Sequence, residues 1–197
     1  MNRTSAQWAR RGLTLSAGLL AVGAAQAHPG HDAHGWMAGL SHPLGLDHLL
    51  AMVAVGAWSA AALPARRVAL GPVVFMLSLL AGALLGMATG GLSGIEPMVA
   101  ASVLLFGALL AGVRRWSVST GLSLIAVSAL VHGLAHGAEW PVASSAVAYV
   151  SGFLLSTAAL HALGVMVGSA ARRASPRAWQ VAGAALAGAG LLMLARI

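Results

Sequence analysis

Three stretches of this chain place imidazoles beside carboxylates. Residues 131–140 read VHGLAHGAEW. In a helix, His132 and His136 stand four apart and share a face, and Glu139, three further on, extends it. That pattern can present two imidazoles and one carboxylate to a single divalent cation. Gly133 and Gly137 keep the same turn narrow, so that a helix or an ion can approach. The second stretch, HPLGLDHLLAM from His42, sets Asp47 beside His48. Successive helical residues diverge by about 100°, so one of the pair faces a ligand while the other braces a neighbour. The third, HPGHDAH, contains His28, His31, Asp32 and His34 and suits metal capture. A lone His161 follows in GFLLSTAALH, where it fits a deeper position on an ion pathway.

Each group also has a plainer reading. Asp47 suits a helix N-terminus, where the dipole favours a carboxylate. His48 and His161 suit hydrogen-bonded structural histidines. The group at 132–139 suits side chains that meet headgroups and water, and HPGHDAH suits a solvated tail.

Composition removes most other chemistry. All 11 basic residues are Arg, so a Walker A lysine and a Schiff-base lysine are both missing. Cys is absent, which excludes disulfides and thiolate metal sites. Neither H-E-x-x-H nor G-x-S-x-G occurs. Only 8% of the 197 residues are charged and 59% are hydrophobic, with a mean hydropathy of +0.86. A soluble domain carries about 25% charged residues, so this chain belongs in a bilayer. There its excess of Arg sets orientation and does not serve nucleic acid.

The elements that must position these groups are membrane helices. Residues 1–27 read as a signal peptide: Arg3, Arg10 and Arg11 precede an apolar stretch that ends at the cleavage signature Ala25-Gln26-Ala27. Residues 28–41 then form a His-rich periplasmic segment, and 42–197 a six-helix transmembrane domain. The expected architecture is all-α, with spans near 45–63, 68–88, 97–113, 116–138, 141–168 and 178–195. Each approaches the ~20 residues that cross the hydrocarbon core. Arg66 and Arg67, Arg114 and Arg115, and Arg172, Arg173 and Arg177 fall in alternate turns, which places those turns in the cytoplasm. Trp58, Trp116, Trp140 and Trp179 are expected in the aromatic belts. Gly82, Gly86 and Gly90, and likewise Gly164 and Gly168, suit close helix contact. In this topology Asp32, Asp47, Glu96 and Glu139 all lie near the periplasmic face, with every His except His161. The positive-inside rule does not demand that segregation of acids, whereas a mouth that attracts divalent cations does.

The strings HPLGLDHLLAMVAVGAW at 42–58, VHGLAHGAE at 131–139 and GFLLSTAALH at 152–161 resemble the signature segments of the HupE/UreJ family of membrane proteins. The resemblance runs over nearly the whole mature chain. It implies a secondary permease, and not an enzyme, that takes up Ni²⁺ or Co²⁺ across the bacterial inner membrane for hydrogenase or urease maturation. By position it implies His42, Asp47, His48, Glu96, His136 and Glu139 as functional residues, with His132 alongside and Phe75 on the pathway. The metal is then cargo, with no tightly bound cofactor, and the partners are the ion, the lipid bilayer and hydrogenase or urease maturation proteins. Two other readings use the same inventory: a membrane metal-binding accessory that does not transport, and a haem-binding cytochrome subunit.

Overall fold

The computed structural model describes residues 35–92, 94–138 and 145–197. The leader at 1–27, the cluster His28, His31, Asp32 and His34, and the residues Glu139 and Trp140 lie outside the described residues. Among the described residues all regular structure is helical. The order is α1 (Trp36–Ser41), a 3-10 turn (His42–Leu44), α2 (Leu46–Ala62), a 3-10 turn (Ala65–Arg67), α3 (Leu70–Thr89), α4 (Glu96–Ala111), α5 (Val118–Ala138), α6 (Ala146–Ala170) and α7 (Pro176–Leu194).

Among the described residues, four helical segments are long and apolar enough to cross a bilayer: Ala65–Thr89, Val118–Gly137, Ala146–Ala170 and Pro176–Leu194. A fifth crossing exists if α1 and α2, which meet at 76°, form one broken span. The break has a local cause. Pro43 cannot donate a backbone hydrogen bond, and Gly45 leaves helical dihedrals at ψ 141°. The remaining expected span, 97–113, corresponds to α4, with 16 residues. At 1.5 Å per residue it reaches about 24 Å, short of the ~30 Å hydrocarbon core. Glycines set its limits, with Gly90, Gly91 and Gly94 all at positive φ before it and Gly112 after it.

Helix pairing follows the small residues. A Cβ on Gly56 would strike the His161 carbonyl, and one on Gly164 the Val53 carbonyl, so α2 and α6 touch backbone to backbone. Gly82, Gly133 and Gly137 do the same for α3 and α5, meeting Leu130, Leu79 and Ala83. Gly107, Gly183 and Gly190 join α4 to α7, and Gly39 and Gly152 join α1 to α6. With lipid as apolar as the side chains, such close packing replaces the hydrophobic driving force between helices. Gly82 and Gly164 are thus used within the chain. Gly90 has another role, closing α3 in the left-handed region at φ 75°. Gly133 and Gly137 receive a helix, α3, at their narrow turn.

The interior is filled by Met52, Trp58, Phe75, Phe106, Leu109 and Ile125. Trp58 and Trp179 are buried in this core and not placed in a belt; the indole of Trp58 occupies the space a Cβ on Gly121 would need. Trp116 is exposed. Large apolar side chains such as Leu77, Val127, Met166 and Val181 point outward, the reverse of a soluble bundle and suited to lipid. At one end, Arg172 donates through Nε to the Ala60 carbonyl (2.9 Å) and through a terminal nitrogen to the Leu63 carbonyl (2.8 Å). It thereby satisfies carbonyls that the end of α2 leaves open.

Candidate metal centre

The end of the bundle away from Arg172 gathers histidines. His48 enters from the first turn of α2, and His132 and His136 from the last two turns of α5. All three are buried, and one ring nitrogen of each lies within 4.8 Å of the others. The rings of His48 and His136 stand 4.5 Å apart at their centroids, and those of His48 and His132 4.8 Å. His42, from the turn that joins α1 to α2, sets its ring edge-on to His136 at 4.4 Å. Phe153 of α6 closes the other side of His136 at 4.7 Å.

Two of these imidazoles are oriented from behind. Asp47 Oδ1 accepts from the His48 backbone N–H at 2.8 Å and from His48 Nδ1 at 2.6 Å. That assigns the ring proton to Nδ1 and leaves Nε2 with its lone pair. His48 Nε2 is buried and has no hydrogen-bond partner among the described residues. A carboxylate behind a histidine whose other nitrogen is open is the usual support for a metal-binding imidazole. Asp47 is itself half-buried, and it braces His48.

His132 is held by a residue from another helix. Its Nε2 lies 2.7 Å from Ser102 Oγ of α4, and the Ser102 hydroxyl donates to the Val99 carbonyl at 2.7 Å. With its proton used on Val99, Ser102 accepts from His132 Nε2–H. The lone pair then sits on His132 Nδ1, which is buried and has no hydrogen-bond partner among the described residues. A buried polar atom left unpaired costs roughly 1–3 kcal/mol. Lone pairs left open on two converging imidazoles are what a cation would fill.

The chain matches the family described as HupE / UreJ protein over residues 15–193. It is 39% identical over 183 residues to Protein HupE of Rhizobium leguminosarum bv. viciae, which covers 92% of this chain and 95% of that one. No solved structure matches it. The chain belongs to the HupE/UreJ family.

In this HupE/UreJ member the site residues expected from sequence divide into groups. His48, His132 and His136 converge, with His42 against them and Asp47 behind His48. Phe75 is fully buried, its ring 5.9 Å from His132 and 4.8 Å from His161. Glu96 is not brought in. It is exposed in the first turn of α4, six residues before the Ser102 that reaches His132. At 1.5 Å per residue that separation is about 9 Å along the helix. Ser102 is the member that sequence reading misses. A serine in an apolar helix carries no signal of its own, and only the packing of α4 beside α5 brings it to a histidine 30 positions away.

The chemistry available is ligation by imidazole nitrogen with oxygen nearby and no sulfur, which suits nickel, cobalt or zinc better than soft ions. The four imidazole rings pack against one another.

Proposed function

We propose that this protein is a secondary permease that takes up Ni²⁺ or Co²⁺ across the bacterial inner membrane to supply hydrogenase or urease maturation. Three buried imidazole nitrogens within 4.8 Å of one another, from two helices of an apolar bundle, carry this reading. Ionisable groups within membrane spans are costly and usually functional. Membership of the HupE/UreJ family, whose resemblance implies nickel and cobalt handling, supports the choice of metal. In this proposal residues 1–27 are removed, the mature N-terminus is periplasmic, and α4 is a short crossing that brings the total to six. His28, His31, Asp32 and His34 collect ions at the mouth, with Glu96 and Glu139 on the same side. His42, His48, His132 and His136 then take up the ion, with Asp47 holding His48. A transported ion must bind well enough to enter and weakly enough to leave, which imidazoles spread over separate helices allow.

The test is metal accumulation by cells that express the protein under low metal. Wild type is compared with Asp47→Ala and His136→Ala at matched membrane abundance, for nickel, cobalt, zinc and manganese. Nickel-selective accumulation in the wild type, lost in both variants, is expected. Correct insertion with no accumulation of any metal would reject the permease in favour of an accessory that binds without transport. Flux into vesicles reconstituted with the purified protein decides between the two directly.

A further inference from the structure

A second group of buried polar atoms lies on α6, where the His161 ring meets Phe75. His161 is 1% exposed, and its Nδ1–H donates to the Thr157 carbonyl at 2.8 Å. A carbonyl only accepts, so the proton is on Nδ1 and the lone pair is on Nε2. His161 Nε2 and Thr157 Oγ1 are both buried without a hydrogen-bond partner among the described residues. The His161 carbonyl lies against Gly56, eight residues past His48 on α2, or about 12 Å further into the bundle. Helical side chains lean toward the N-terminus, which for α6 is the end that holds the histidine cluster. The His161 ring accordingly meets Phe75 at 4.8 Å, and Phe75 in turn lies 5.9 Å from His132.

We propose that His161 and Thr157 form a second, inner station for the divalent cation, with the Phe75 ring between His161 and His132 of the outer cluster. This deepens the permease reading and rests on it for the direction of travel. The donor set fits the same class of cation as the outer site, but more weakly: one imidazole nitrogen and one hydroxyl oxygen, with no carboxylate and no thiolate. A weaker station nearer the Arg-bearing end favours release on that side. Among the described residues, His161 Nε2 and the neighbouring Thr157 hydroxyl lack the protein partners that buried polar groups generally have.

The full-length protein is purified in detergent and titrated with Ni²⁺ and with Co²⁺ alone. Bound metal is counted at saturation, and the visible absorption of the Co²⁺ form is recorded. Wild type is expected to bind two ions of unequal affinity. His161→Leu should keep the tighter ion and its spectrum and lose the weaker, while His132→Leu does the reverse. Thr157→Val, which keeps the shape of the side chain, should weaken only the inner ion, by about tenfold, the low end for loss of a metal-site group. In vesicles, His161→Leu should slow the initial rate of uptake by a similar factor. A single ion at saturation in the wild type would overturn the inner station, even where flux is intact. So would an unchanged stoichiometry in both His161→Leu and Thr157→Val. Two ions bound without flux would uphold the station and reject the permease, so the two failures are distinguishable.

Discussion

Two of the three converging imidazoles have their proton fixed on the far side of the ring, and this makes the supporting residues testable apart from the ligands. Ser102→Ala removes the acceptor behind His132 and frees that ring to rotate or change tautomer. Loss of such a partner typically costs 10–100-fold in metal affinity, and that fall is expected in a Ni²⁺ titration of the purified protein. Ser102→Thr keeps the hydroxyl and should retain most of the affinity. Equal affinities in wild type and Ser102→Ala would deny Ser102 any part in orienting His132. Asp47→Asn tests the same logic at His48. It keeps the size of the side chain but removes the charge that stabilises the Nδ1–H donor, so affinity should fall by roughly 10–100-fold. The histidines are legible in the sequence because an imidazole in an apolar span needs a reason to be there. His132 and His136 also share a face by simple spacing. Ser102 is not legible, because serine in a membrane helix ordinarily satisfies itself on a carbonyl one turn back, as it does here with Val99.

Among the helices, the α3–α5 contact positions the cluster, since α5 carries both His132 and His136. Gly133 and Gly137 lie on the face of α5 that touches the α3 backbone at Leu79 and Ala83. Gly133→Ala would force that contact apart. Overpacking of this kind costs about 1–3 kcal/mol, so its unfolding midpoint in detergent should fall, and metal binding should weaken with it. Gly188→Ala on α7 is the control. A Cβ there meets nothing within 4 Å, and replacing a helical glycine by alanine should be neutral or stabilising by up to about 1 kcal/mol. Equal midpoints for the two variants would mean that the close α3–α5 approach does not matter. Helix identity is largely readable from runs of apolar residues, and the turns from paired arginines. The entry of the chain is not. Trp36–Ser41 falls inside the segment read as a periplasmic tail, yet it is helical and lies on α6 through Gly39 and Gly152. A six-residue helix is too short to show periodicity and exists through that contact. The place of Trp58 is missed for a related reason. A span-end tryptophan suits a belt, but Gly121 opens a space for its indole inside the bundle.

For the molecule as a whole, polarity along the bundle axis links fold to function. Histidines occupy one end, and the other carries exposed Arg66 and Arg67 together with Arg172, which binds the last carbonyls of α2. A permease of the proposed orientation needs the histidine end to face the periplasm, and the chain allows a clean test because it contains no cysteine. Leu92→Cys, exposed in the connection between α3 and α4, lies at the histidine end. Ala65→Cys, exposed in the turn after α2, lies at the arginine end. A membrane-impermeant maleimide added to intact spheroplasts should label Leu92→Cys and spare Ala65→Cys until the membrane is opened. The reverse pattern would put the histidine cluster in the cytoplasm, and the same ligands would then serve release or export. The two positions flank one helix that is long enough to span, so labelling of both from the same side would mean that α3 does not cross. Agreement with the expected pattern would join the arginine distribution, which fixes orientation through the membrane potential and insertion machinery, to the ligand distribution, which fixes where the ion is first held.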